Sequence, residues 1–446
     1  MPNDNPLNPT SSASDPQPES AGRTYRVGRA KSAYLLTLLT LLYALAYMDR
    51  SVMGVVVEPM KADLGLSDAQ VGFLQTLFMI SVGVLLVPLG ILVDRWSRRK
   101  AVALMTVIWS AATFFTGLAH RFSTLVLARF LTASGEAGFA PGGVAWLSLT
   151  FPESARSRVL GVFNAGIPLG GALGVVLGGM IVAKTGDWRA PFFWFALVGI
   201  PLGILAFFLP DYKTVSEAGP KKSPREQLRE ILGLFKIRSY TLAGLGFALW
   251  IFIIFAVPAW LPALLMREYG IDAGQAGKIL GLIFVMGVVG APLGGVLSDR
   301  WQKKSSKGRY YFVAVAIFFG MLSKILLLSM IGSDLKVIAV VGMIDGVLVG
   351  MSAPAFYSIT QDVAPPKHRA TALAIGGNMV FIMGGAWGPV VVGALSDFWG
   401  GSAQSLRHAL LAVMPAALVA IIIFLIGSKY YPSDCEGVEN KVMAEK

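Results

Sequence analysis

A chain of 446 residues that is 55% hydrophobic and only 14% charged carries more apolar surface than ordinary soluble domains can bury. That excess excludes a water-soluble globule and makes lipid the natural solvent. The net charge of +12 raises nucleic acid as a partner, but the placement of Lys and Arg argues against it.

Residues 2–22, rich in Pro, Ser, Asn and Asp, predict a disordered cytoplasmic tail over 1–31. The "ALA" at 44–46 has the spacing of a signal-peptidase site, yet a polar tail precedes the apolar run and the run continues past it, so no cleaved leader is expected. Twelve apolar segments follow: roughly 33–57, 69–93, 101–119, 123–150, 157–183, 190–209, 239–266, 275–298, 310–331, 336–362, 369–396 and 405–428. At about 1.5 Å per residue each can span a hydrocarbon core of about 30 Å as a helix. Short alternating strands, the signature of a membrane barrel, do not appear. The predicted class is an all-α membrane protein with twelve transmembrane helices.

With the first terminus inside, 27 of the 38 Lys and Arg fall on cytoplasmic segments, 8 on external ones and 3 within helices. The positive-inside rule then predicts a multi-pass protein of the cell (inner) membrane with both termini cytoplasmic, and it accounts for the basic balance without nucleic acid. The polar stretch 211–238 divides the segments six and six, giving an N-terminal bundle over 32–210, a linker, a C-terminal bundle over 239–428 and a tail over 429–446. Within the linker, "SPREQLREILGLF" suits a short amphipathic surface helix capped by Ser223. The single cysteine, Cys435, excludes an intrachain disulfide.

A repeat links the halves. "PLGILVDRW" at 88–96 returns as "PLGGVLSDRW" at 292–301, with Gly90, Asp94 and Trp96 matching Gly295, Asp299 and Trp301 at a constant offset of 205. Two copies in one orientation imply two pseudo-symmetric six-helix bundles related by an axis along the membrane normal, with a site between them.

"GILVDRWSRRK" at 90–100 resembles the helix 2–3 loop motif of the major facilitator superfamily, and Arg129 followed by "SGEAG" at 134–138 resembles its helix 4 signature. The likeness runs from about 33 to 428. "YMDR", "GEAGFAP", "RSRVLGVFNAGIPLGGALG" and "WLPALLMREYGI" look most like the spinster-like transporters, which implies a lysolipid or sphingolipid-like cargo. "GDWRAPFF" also resembles the anion:cation symporters, which implies organic or sugar acids.

Asp49 and Arg50 interrupt the first segment. Adjacent helical side chains point about 100° apart, so each needs a partner elsewhere. Rise per residue puts Arg50 roughly 10–12 Å and Glu136 about 20 Å below the external surface, a difference much of which an Arg side chain can bridge. Arg129 lies two turns from Glu136 on the same face. Two acids and two bases thus converge, and the resemblance implies that they flank the transport route. Such a cluster can be a structural lock. The sharper reading is a proton switch, in which an anionic substrate head competes for Arg50 and the released Asp49 or Glu136 takes a proton.

Other intramembrane charges receive local readings. Lys324 is expected to snorkel outward. Asp345 has no evident local partner and is a candidate for the cavity, and Asp362 reads as a helix-end residue. Further cavity candidates are Tyr47, Asn164, Phe247, Trp250, Tyr357 and Asn378, with Phe252, Phe255, Trp260 and Phe356 extending an apolar wall that suits a lipid tail. Lipid-facing aromatics are the competing reading. The resemblance implies a cytoplasmic gate motif of Gly90, Asp94, Arg95, Arg99, Asp299 and Arg300, in which Asp94 and Asp299 tie the bundles together in the outward-facing state. Gly166, Gly170, Gly174 and Gly178, with Gly277, Gly281, Gly290 and Gly294, fit either sliding bundles or tight static packing. Pro141, Pro168, Pro258 and Pro262 mark expected kinks.

No GxxxxGK[ST] run supports nucleotide hydrolysis, and His120, His368 and His408 are too scattered for a metal site. The expectation is a proton-coupled secondary transporter, not an enzyme, with no cofactor beyond the coupling proton, acting as a monomer in the bilayer on a small molecule. A non-transporting receptor and a uniporter or channel are the alternatives of other classes.

Overall fold

A computed structural model of the protein describes residues 28–209 and 232–444, apart from the side chains at 91, 94, 95, 367, 370 and 439–444. The expected disorder of residues 1–27 and most of the linker helix, with Ser223, lie outside the described residues. Helix α1 starts at Arg29, inside the stretch assigned to the tail.

Among the described residues the chain forms helices and no strand. The first half holds α1 (Arg29–Leu64), α2 (Asp68–Arg95), α3 (Arg98–Gly117), α4 (Phe122–Glu136), α5 (Phe139–Thr150), α6 (Glu153–Thr185) and α7 (Ala190–Ala206). The second half holds α8 (Arg238–Tyr269), α9 (Ala273–Lys304), α10 (Gly308–Ser329), α11 (Leu335–Gly350), α12 (Ser352–Asp362), α13 (Arg369–Met383), α14 (Gly388–Phe398), α15 (Ala403–Ala412), α16 (Pro415–Gly427) and α17 (Tyr431–Ala444). Among the described residues ten spans are long and apolar enough to cross a membrane, and α7 is a shorter apolar helix. Every predicted segment is occupied by a helix or a stacked pair of helices.

The pairs are α4 with α5, α11 with α12, α13 with α14, and α15 with α16, and their breaks have a common cause. Pro141, Pro354, Pro389 and Pro415 each stand within the first three residues of the second member. A proline there has no N–H to give to the preceding turn and its ring crowds that turn's carbonyl, so the first helix stops and a new one starts. Of the four expected kinks only Pro141 sits at a break, because Pro168, Pro258 and Pro262 lie inside continuous helices.

The glycine stripe of α6 is a seam within the first half. A Cβ at Gly166 or Gly170 would collide with backbone of α1 at Thr40 and Ala44, and one at Gly174 or Gly178 with Met48, Ser51 or Val52. Gly290 and Gly294 seat α9 on Val347 and Met351 in the same way, whereas Gly277 and Gly281 meet Val175 and Val176 across the halves. At the end away from the chain termini the halves share one core, in which Val52, Val56 and Met60 of α1 join Val257, Leu261 and Leu264 of α8. At the other end Leu35, Leu39, Trp146 and Phe163 form a separate core belonging to the first half.

The segment expected to be a C-terminal tail is instead helix α17, docked on the second half. Asp434 accepts from Ser239 N at 3.0 Å and Ser239 Oγ at 2.6 Å, and Tyr431 donates to Asp362.

Candidate functional site

The four charges of the first half meet between α1, α3 and α4. Arg50 donates through Nε to Glu136 Oε2 at 2.6 Å, its side chain 28% exposed and that of Glu136 fully buried. Asp49 points the other way, as adjacency on a helix requires, and accepts from Thr113 Oγ1 of α3 at 3.0 Å. Arg129 is buried and lies over the ring of Phe78 at 4.4 Å. Phe78 faces Arg50 as well, at 5.3 Å, and Tyr47 faces Arg50 at 4.7 Å. The ring quadrupole substitutes for a second carboxylate beside Arg129.

Local sequence sets this geometry. Glu136 is the last residue of α4, just before the break imposed by Pro141. Gly135 lets α4 approach α3 closely, since a Cβ there would strike Trp109 and Met105. Trp109 in turn packs edge-on to Phe139, whose neighbour Tyr43 stacks on Phe163 at 4.5 Å. Aromatic packing thus fixes Phe139, three residues after Glu136, against α3 and α1. Among the described residues, Asp49 Oδ1, Glu136 Oε1 and Arg129 Nε lack a hydrogen-bond partner. Buried polar atoms are seldom left so.

Several sequence readings need correction. Lys324 does not snorkel: it is buried and donates to Asp345 Oδ2 at 2.9 Å, while Ser323 donates to Oδ1 at 2.6 Å. Asp345 therefore has a near partner, one segment earlier, and the two side chains are each 3% exposed, as the cost of a lone charge in lipid would demand. Phe247 and Trp250 do not line an opening. Phe247 stacks on Phe356 at 4.1 Å and Trp250 donates to Ser352 at 3.0 Å, all inside the second half. Trp260 is likewise buried and bonded to the Pro389 carbonyl. Asn378 is spent on a bond between the halves, donating to Gly83 O at 3.2 Å. Tyr47 is half-buried, Tyr357 is 38% exposed and Asn164 is exposed.

In the gate motif, the side chains of Asp94 and Arg95 lie outside the described residues. Gly90 has open space where a Cβ would sit. Arg99 is half-buried and Arg300 exposed. Asp299 pairs with Arg309 at 2.9 Å inside its own half and makes no tie to the other bundle among the described residues. Arg309 also binds Asp362, so the helix-end reading of Asp362 gains an anchoring partner. Sequence reasoning missed Phe78 and Thr113 altogether, since a lone Phe or Thr in an apolar helix carries no signal of its own. It also missed the joining of Glu58, Asp68 and Arg267, since nothing local links residues about 200 positions apart. Among the described residues no group of three His, Cys, Asp or Glu side chains is placed to hold a metal ion.

The fold agrees with comparisons to known proteins. The sequence profile of the Major Facilitator Superfamily matches residues 39–375. The chain is 27% identical to protein spinster homolog 1 of Xenopus tropicalis, over 94% of this chain and 86% of that one. It is 26% identical to the hexuronate transporter of Bacillus subtilis, over 81% and 87% of the two chains. In three dimensions it matches an inward-facing, unoccupied crystal structure of a bacterial homolog to the human lysosomal transporter Spinster, with a TM-score of 0.82, 22% identity, and coverage of 92% of this chain and 99% of that one. The chain is a multi-pass helical membrane protein with the major facilitator fold, resembles the spinster homologs, and belongs to the Major Facilitator Superfamily of transporters, which are not enzymes.

Proposed function

We propose that the protein is a proton-coupled secondary transporter working by alternating access, which moves an anionic small molecule across the inner membrane with both termini cytoplasmic. The observation that carries this is the shared position of Arg50: it is the sole salt-bridge partner of buried Glu136 among the described residues, and its side chain is the more open of the two. An anion that draws Arg50 away leaves Glu136 as a lone carboxylate in a dry site, and protonation is the cheapest relief. Asp49, bonded only to a hydroxyl among the described residues, is the second proton acceptor in reach.

The cargo reading favoured is an amphipathic anion such as a lysolipid or sphingolipid-like molecule, on the resemblance to spinster homologs over most of the chain. A sugar-acid or other organic-acid cargo is the second reading. It draws on the hexuronate transporter and L-galactonate transporter relatives, and on the burial of Phe247 and Trp250, which removes part of the apolar wall a lipid tail needs. Counterflow in proteoliposomes with lysolipid and with hexuronate decides between them. Accumulation driven by an imposed pH gradient, abolished in Glu136→Gln, tests the coupling, and undiminished gradient dependence in that variant would sink it.

A further inference from the structure

The turn from α14 into α15, at the end of the molecule away from the chain termini, encloses a cavity that takes no part in the Arg50–Glu136 site. It measures about 440 Å³ and is lined by Trp399, Ser402, Gln404, Ser405 and His408. Its walls are fixed by bonds on every side. Asp397, two residues before Trp399, caps α2 by accepting from the amides of Asp68 and Ala69 at 2.9 and 2.7 Å. Gly400 and Gly401 reverse the chain at φ 100° and 70°, where side chains are strained, and Gly401 O accepts from Arg267 at 3.2 Å. Ser402 caps α15 by accepting from Ser405 N at 3.1 Å, and Ser405 Oγ donates to the Trp399 carbonyl at 2.7 Å.

Within this frame a set of donors stays unspent. The side chains of Trp399, Gln404 and His408 make no hydrogen bond to a described residue, and all three are exposed. The corresponding turn of the first half, between α6 and α7, is the contrast. There Trp188 is buried, its indole N–H donates to Asp63 at 3.3 Å, and Arg189 covers its ring at 4.4 Å. The arginines of the two turns behave alike, Arg189 donating to Ala119 O and Arg407 to Ser329 O, each at 3.0 Å. Only the tryptophans differ: one is consumed by its own half and the other is left open.

Gln404 and His408 stand one turn apart on a face that runs on through Ala412, Pro415, Leu418 and Ile422, all exposed. Such an apolar stripe belongs against hydrocarbon, so the cavity lies where hydrocarbon gives way to headgroups, the depth that Trp favours. Its lining contains no Lys, Arg, Asp or Glu. We propose that this cavity binds the phosphodiester of a membrane glycerophospholipid, which receives hydrogen bonds from Trp399 Nε1, the Gln404 amide and the His408 ring while an acyl chain follows α16. Phosphodiester oxygens accept and cannot donate, which is the complement of an indole and an amide N–H.

The experiment titrates delipidated full-length protein with dioleoyl phosphatidylethanolamine and counts bound lipid by native mass spectrometry. Dissociation from the tightest site is expected to weaken severalfold in Trp399→Phe, Gln404→Ala and His408→Ala, and about tenfold or more in Trp399→Phe with His408→Ala. Trp96→Phe, which alters an indole 47% exposed at the opposite end, should leave that site unchanged. Dioleoylglycerol, with the same chains and no phosphate, should bind at least tenfold more weakly, and glycerophosphoethanolamine, with the phosphate and no chains, should not compete. Unchanged affinity in the double variant and in Gln404→Ala overturns the site. Equal binding of dioleoylglycerol overturns it too, as a merely apolar groove, and so does full competition by glycerophosphoethanolamine, as a pocket for soluble phosphates. None of these readouts involves cargo or a proton gradient, so the site stands or falls apart from the transport reaction.

Discussion

Arg50 bonds Glu136 at 2.6 Å across 86 residues of sequence, while its chain neighbour Asp49 turns to Thr113 on a third helix. Neighbours in sequence have become members of two different contacts, because the 100° step of an α-helix sends them to different faces. One ion pair is therefore poised beside a second acid that carries no ion-pair partner among the described residues, an arrangement in which displacing one cation alters both acids.

Neutralising one acid should uncouple transport without abolishing it. In Glu136→Gln vesicles, substrate counterflow is expected to continue while uphill accumulation falls to about the passive level, since Gln still accepts from Arg50 but cannot exchange a proton. Asp49→Asn is expected to weaken the pH dependence as well. Parallel measurements of counterflow and gradient-driven uptake from pH 5.5 to 8 check both.

Phe78 is expected to govern how Arg129 and Arg50 are presented. Removing the ring in Phe78→Ala forfeits two cation–π contacts, roughly 0.5–2 kcal/mol for each guanidinium. Apparent affinity for the anionic substrate should fall by at least severalfold, and Phe78→Trp should restore it. A Phe78→Leu variant that binds as tightly as wild type would rule out the π contribution, and scintillation proximity binding is a direct readout.

The buried Lys324–Asp345 pair should reveal itself through non-additivity. Lys324→Met leaves Asp345 alone in the bundle and is expected to cost about 3 kcal/mol or more, whereas Lys324→Met with Asp345→Leu should recover most of that loss. Thermal unfolding of the purified variants in one detergent, read by intrinsic fluorescence, gives the cycle.

Gly170 and Gly161 occupy the same helix with opposite expectations. A side chain at Gly170 meets the backbone of Ala44, which cannot step aside, so Gly170→Val is expected to abolish monodisperse protein; Gly161 has open space and Gly161→Ala should be neutral or slightly stabilising. Fluorescence-detected size exclusion distinguishes the two outcomes.

By itself the sequence determined the class of the protein, the placement of its helical runs, the twofold repeat and the meeting of Arg50 with Glu136. Those follow from local quantities: hydropathy summed over a helix length, the rarity of charge in lipid, and depth counted at a constant rise. The helix breaks were only half legible, since Pro354, Pro389 and Pro415 stand at breaks as Pro141 does, yet Pro168, Pro258 and Pro262 sit inside continuous helices. Only the tertiary structure decided that Lys324 turns inward to Asp345, that Phe247 and Trp250 face the interior of their own half, that Phe78 supports both arginines, and that Asp397 caps a helix more than 300 residues away. Each of these depends on the rotation of one helix relative to another. That angle is set by the packing of the whole bundle, and no single residue's chemistry encodes it.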